Sequence, residues 1–137
     1  MTEKQKMLMG ILYNAEDQAL IEERNHAKSL TRQFNEHWED KGRRNYLIGQ
    51  IFGSLGKNVH LEAPIYLDYG YRTTIGSDFF SNFNLSILDG GGVEIGNHVF
   101  IGPNVGIYTA NHPADVKRRE KGYTVSMITF WNLIIVL

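Results

Sequence analysis

Histidine stands at positions 26, 37, 60, 98 and 112. Imidazole ordinarily titrates near pH 6.5, so it can take up and release a proton under neutral conditions. Each is therefore a candidate for general acid–base work. His26 and His37 lie in a strongly polar stretch, where a solvated position is the ordinary outcome. His60 and His98 fall within a repeating pattern and fit outward-facing positions on it. His112 differs, because it follows the last clear repeat unit in a loop-like segment closed by Pro113. It is the strongest candidate for a general base. The chain contains no cysteine, which removes a thiol nucleophile and a disulfide framework together.

Other polar residues are less distinctive. Asn82, Asp68 and Asp89 could reach a ligand, but Asn and Asp are also the usual residues of tight turns. Phe79, Phe80 and Phe83 suit a core as well as a binding wall. The basic run Lys117-Arg118-Arg119 reads first as a solvated face, with an attraction for phosphate groups as the alternative.

Two grammars position these residues. Over residues 1–54 the apolar spacing is helical. Thr2 and Gln5 have capping-box spacing ahead of Met7, Leu8, Ile11 and Leu12. Asp17 precedes a second helix with Leu20, Ile21, Ala27, Leu30 and Phe34 on one face. A third is predicted from about Asp40 to Phe52, ended by Gly53 and Gly56.

From Leu55 a six-residue rhythm takes over. Leu55, Leu61 and Leu67 are six apart, as are Ile95, Ile101 and Ile107. Glycine follows the aliphatic at Ile75-Gly76, Ile95-Gly96 and Ile101-Gly102. A hexapeptide repeat of this kind gives one short strand and one turn per unit, and three units per coil. The aliphatics stack inward, and Gly or Asn takes the turn, where unusual dihedrals are cheapest. The expected fold is mainly β: a left-handed parallel β-helix of about three coils behind a small helical domain. Between Thr73 and Gly92 the rhythm blurs, which reads as an insertion or phase slip.

Composition is permissive. Basic and acidic residues nearly cancel, 14 against 15, so no overall basic field favours nucleic acid. The first residues lead into too short an apolar stretch for a secretory signal. The longest apolar run, Phe130 to Leu137, is far below the roughly 18 residues of a membrane span. A soluble cytoplasmic protein without membrane partners is expected.

Both halves resemble the maltose and galactoside O-acetyltransferase family. The N-terminal likeness is carried by Met7–Gly10, Leu12-Tyr13-Asn14-Ala15, Leu20-Ile21-Glu22-Glu23-Arg24 and Phe34-Asn35. The stronger part is Asp68-Tyr69-Gly70-Tyr71, Phe79-Phe80-Ser81-Asn82-Phe83-Asn84, Leu88-Asp89, Ile95-Gly96-Asn97, Ile101-Gly102-Pro103-Asn104-Val105 and Tyr108-Thr109-Ala110-Asn111-His112-Pro113. The resemblance covers residues 1 to about 126. It divides the chain into a helical domain at 1–54, a β-helix with its His-Pro loop at 55–126, and an atypical hydrophobic tail at 127–137.

The resemblance implies acetyl transfer from acetyl-CoA to a sugar hydroxyl, in a homotrimer with active sites between subunits. His112 corresponds to the family's catalytic histidine and Asn82 to an active-site asparagine. Asp68, Phe80 and Arg24 correspond to acceptor-site positions. A sugar hydroxyl is almost wholly protonated at neutral pH, so a base must remove its proton during attack on the thioester. Asn82 is then a candidate donor to the oxyanion, or an anchor for the acceptor.

The family continues past residue 126 with further Ile-Gly coils that supply most of the acetyl-CoA groove. Here Ser126 to Leu137 lacks those steps, and the residue types hint at a change of reading frame near Met127. The expectation is weakened or absent acetyl transfer, with the tail either exposed and prone to aggregation or folded back as a plug. One alternative is a non-catalytic remnant that oligomerises or binds sugar. A weaker one is a zinc hydratase of the same fold using His60, His98 and His112, whose spacing does not resemble that family. No metal is expected.

Overall fold

The computed structural model describes residues 1–126 and 129–131. The first element, α1 (Glu3–Leu8), starts at Thr2. The Thr2 hydroxyl accepts the Gln5 N–H, and the Gln5 side chain takes the Thr2 N–H in return. That reciprocal pair satisfies donors a helix start leaves open. A two-residue strand, β1 (Tyr13–Asn14), follows. Asp17 caps α2 (Gln18–Glu36) and Asp40 caps α3 (Lys41–Ile51). On α2 the buried Leu20, Ala27, Thr31 and Phe34 share one face. Phe34 joins Leu47, Ile48 and Ile51 of α3 in the main core. Asn35 accepts the Ile65 N–H and donates to the Ile65 carbonyl, both at 2.9 Å. The end of α2 is thereby tied to the following β segment much as a neighbouring strand would be.

Nine short strands come next: β2 (Ser54–Leu55), β3 (Val59–Leu61), β4 (Ile65–Leu67), β5 (Thr73–Ile75), β6 (Phe79–Ser81), β7 (Leu85–Leu88), β8 (Val93–Ile95), β9 (Phe100–Ile101) and β10 (Gly106–Tyr108). Each of β2 to β7 pairs in parallel with the strand three further on. The chain therefore winds around three faces. The first holds β2, β5 and β8, the second β3, β6 and β9, and the third β4, β7 and β10. A parallel β-helix is the only winding that gives this order.

One coil takes twenty residues, since Ile65 lies opposite Leu85 and Ile87 opposite Ile107. Three hexapeptides would take eighteen. The surplus sits at one corner, residues 68–72 and again 88–92, where the chain turns from the third face to the first. The blurred stretch is thus a regular wide corner and no phase slip. Its second cause is Ser81, a buried polar residue in the inward column between Leu61 and Ile101.

The glycine expectation is corrected. Gly56 and Gly76 are not among the positive-φ residues. They are glycines for lack of room: a Cβ on Gly76 would lie 2.5 Å from Asn97 Oδ1 and 2.6 Å from the Gly96 carbonyl carbon. The left-handed positions come two residues later, at Asn58, Asp78 and His98, and on the next corner at Asn84 and Asn104. Asn58 Nδ2 donates to Asp78 at 2.9 Å and Asn84 Nδ2 to Asn104 at 2.9 Å, so corner residues bond from coil to coil.

After β10 the chain leaves the coil. It forms β11 (Ala110–Asn111), the short helix α4 (Val116–Glu120) and β12 (Tyr123–Ser126). β12 pairs antiparallel with β11 on one side and β1 on the other. β13 (Thr129–Trp131) then returns to the first face, with Thr129 opposite Val93 and Trp131 opposite Ile95. Within the segment read as a tail, residues 127, 128 and 132–137 lie outside the described residues. The plug expectation, made for Phe130–Leu137, lies outside them as well, except at Phe130 and Trp131, which β13 sets beside β8. No helix among the described residues is long and apolar enough to cross a membrane.

Candidate active site

The wide corners are held by buried polar side chains stacked one per coil. Asp89 Oδ1 accepts the backbone N–H of Tyr69 at 2.8 Å, and its Oδ2 accepts the Thr73 hydroxyl at 2.9 Å. One coil later, Thr109 donates to the Leu88 carbonyl and accepts the Gly91 N–H. Burial pushes the Asp89 carboxyl up, against the lowering effect of these donors. Asp89 thus holds the corner, the turn role weighed for it from sequence.

Asp68 opens the lowest of these corners and is half-buried. Burial raises its carboxyl above the usual carboxylate range, and the nearby Arg24 and Lys28 charges partly oppose this. It borders a cleft of about 460 Å³ between α2 and the third face, lined also by Lys28, Tyr66, Ser86 and Leu88. Arg24 reaches across from α2. One guanidinium nitrogen donates to the Tyr69 hydroxyl at 2.9 Å and another to the Ala15 carbonyl at 2.7 Å. Its charge lies 5.8 Å from the Tyr69 ring centroid. Two terminal nitrogens are therefore engaged in tying α2 and the β1 turn to the corner. A guanidinium has five N–H donors in all.

His112 follows Asn111, the last residue of β11, and is exposed. Its backbone N–H donates to the Asn111 side chain at 2.8 Å. The loop around it is closed by Arg119, which donates to the carbonyls of Pro113 and Ala114 at 3.2 and 3.3 Å. Arg24, Asp68 and His112 thus belong to the side of the molecule where the third face turns to the first.

Phe80 and Asn82 do not join them. Phe80 points outward from the second face, stacked on His60 at 5.5 Å and tilted against Phe100 at 6.1 Å. Asn82 takes the corner between the second and third faces, where its Oδ1 accepts the Phe83 N–H at 2.8 Å. The third face, β7 and β10, runs between Asn82 and His112. A strand of three or four residues spans roughly 10 Å or more. Within one chain the two lie at opposite ends of a face.

Three of the remaining histidines have local partners, His37 at the Gln33 carbonyl 2.8 Å away among them, and His26 is exposed. His60 pairs with Glu62 at 2.8 Å, and His98 takes a left-handed corner position 3.5 Å from Asp78. Among the described residues, no three or more His, Asp or Glu side chains group as a metal set. The partnership of β12 with β1 was not found from the sequence. A two-residue strand and a four-residue strand more than a hundred residues apart carry no periodic signal.

A three-sided coil with hexapeptide spacing and a histidine loop after its third coil defines the class of hexapeptide-repeat acyltransferases. Residues 6–56 match the family described as the maltose acetyltransferase hexapeptide capping motif. The fold superimposes on a maltose O-acetyltransferase from Clostridium difficile 630 with a TM-score of 0.90 at 44% identity, covering 93% of this chain and 69% of that one. A galactoside acetyltransferase solved in complex with coenzyme A gives a TM-score of 0.89 at 34% identity, covering 93% and 64%. Galactoside O-acetyltransferase of Escherichia coli K12 is 35% identical over 130 residues, 93% of this chain and 64% of that protein. The chain belongs to the maltose and galactoside O-acetyltransferase family, hexapeptide-repeat proteins with a left-handed β-helix. It spans about 64% of the length of the curated relatives it matches.

Proposed function

We propose that this protein transfers the acetyl group of acetyl-CoA to a sugar hydroxyl, with His112 as general base, in a homotrimer whose sites form between copies. The carrying observation is the separation of Asn82 from His112 across the third face. One chain offers a base at one end of the face and an amide donor at the other. Two chains set side by side bring the His112 end of one to the Asn82 end of the next. In that arrangement Arg24, Asp68 and His112 come from one copy, and Phe80 and Asn82 from its neighbour.

The chemistry needs no acyl-enzyme. The His112 imidazole takes the sugar hydroxyl proton as the oxygen attacks the thioester carbonyl carbon. The tetrahedral oxyanion is met by the Asn82 amide N–H, whose direction is set by the bond from Phe83 N–H to its oxygen. The C–S bond then breaks, and the imidazolium returns the proton to the leaving thiolate. Asp68 suits an acceptor hydroxyl, and Phe80 supplies a ring wall. The coenzyme A complex of the relative supports acetyl-CoA as co-substrate.

An acetyl-CoA assay against maltose, glucose and galactosides tests the reading. Turnover lost in His112→Ala by about a hundredfold or more supports it. Sugar binding by calorimetry with no coenzyme A binding and no turnover would contradict it, in favour of a sugar-binding oligomer.

A further inference from the structure

We propose that Glu3, at the start of the chain's first helix, is a positioning residue for His112. The link runs through the three-stranded sheet β1-β12-β11. His112 immediately follows Asn111, and β11 is not part of the coil. β11 is held by β12, with Ala110 opposite Ser126 and Asn111 opposite Val125. β12 is in turn held by β1, with Tyr13 opposite Thr124 and Asn14 opposite Tyr123. The Ala15 N–H adds a bond to the Gly122 carbonyl at 3.4 Å.

Strands of two residues do not stay ordered by their own ladders. Something must hold β1 from the other side. The Glu3 carboxylate does so: one oxygen accepts the Asn14 backbone N–H at 2.5 Å and the other the Lys6 ammonium at 2.5 Å. Both contacts hold the Glu3 carboxyl below its ordinary range. Charge-assisted bonds of this kind are about twice as strong as neutral ones. The buried Tyr13 packs with Met7, Leu20 and Tyr69, which anchors the same strand to α1, α2 and the wide corner. The helical segment therefore acts as a buttress for the loop that presents the imidazole. The loop is not borne by the coil alone.

The mechanical link stands on these contacts. Its catalytic consequence rests on the reading of His112 as base. The test is hydrogen exchange on the full chain, carried out on Glu3→Ala and Glu3→Gln. Glu3→Gln keeps an oxygen for the Asn14 N–H and serves as the conservative variant. In Glu3→Ala, amides at 110–112 and 123–126 should exchange about tenfold faster or more, while those of β6 and β7 stay as in the wild type. In Glu3→Gln they should remain within about threefold of wild type. In the acetyl-transfer assay, Glu3→Ala should lower kcat by about tenfold with KM for acetyl-CoA unchanged, because the base is misplaced while the coil is intact. Unaltered loop exchange, or equal acceleration throughout the chain, overturns the proposal. So does a loosened loop with undiminished kcat. If the wild type turns over no acetyl-CoA, the functional reading fails while the exchange pattern still decides the link.

Discussion

The carboxylate of Asp89 accepts the backbone N–H of Tyr69 from the coil before it, at 2.8 Å. This bond closes a corner two residues wider than the other two. Asp89→Ala leaves a buried N–H and the Thr73 hydroxyl without their acceptor and should cost about 2–4 kcal/mol, read by urea denaturation. Asp89→Asn keeps an acceptor for Tyr69, and the Thr73 hydroxyl can rotate to accept from the amide. Its cost should be smaller. The pH dependence separates the two effects. The folded carboxyl titrates above its ordinary range, so the folded state holds the proton longer than the unfolded chain. Its contribution is fully present below the ordinary Asp value of about 3.9 and is lost as pH rises through the folded value. The stability gap between wild type and Asp89→Asn should therefore narrow as pH rises from about 4.

Gly76 has no space for a side chain against the coil above. A Cβ there would meet Asn97 Oδ1 and the Gly96 backbone at 2.5–2.6 Å. Gly76→Ala should force neighbouring coils apart and destabilise by at least about 2 kcal/mol. Gly49 faces open space on α3, and Gly49→Ala should instead be neutral or stabilising by up to about 1 kcal/mol through helix propensity. Thermal melts of the two variants side by side check the contrast.

Ser81 is buried in the coil interior, and its hydroxyl has no hydrogen-bond partner among the described residues. Its column neighbours are Leu61 and Ile101. Ser81→Ala removes an unpaired polar group and should leave stability unchanged or raise it by about 1 kcal/mol. The denaturation midpoint should move with the slope unchanged. A loss of stability would mean that the hydroxyl has a partner the contacts do not reveal.

These residues also explain what the sequence makes legible. Leu55–Leu61–Leu67 and Ile95–Ile101–Ile107 declare the coil because inward aliphatics are selected at every sixth position. The middle coil hides itself, since Ser81 interrupts its column and Leu67 to Ile75 and Ile87 to Ile95 are steps of eight. The Ile-Gly pairs mark the coil correctly, but for a reason of space that only the neighbouring backbone shows. His112 is found by its loop and Pro113. Its separation from Asn82 is hidden, because only a coil of twenty residues places Asn82 ahead of β7 and the His112 loop after β10, the strand one coil further on. The hold of Glu3 on Asn14 is a contact between elements, and no local pattern announces it.

The central claim is that Asn82 and His112 act on one substrate from different copies. The most direct test mixes two inactive variants, His112→Ala and Asn82→Ala, by unfolding and refolding them together at equal concentration. In a closed ring of three, every mixed trimer contains one interface at which an intact His112 meets an intact Asn82. Random assembly should therefore restore about a quarter of wild-type activity. A mixture as inactive as its components, with subunit exchange verified by mass spectrometry, would contradict the shared site.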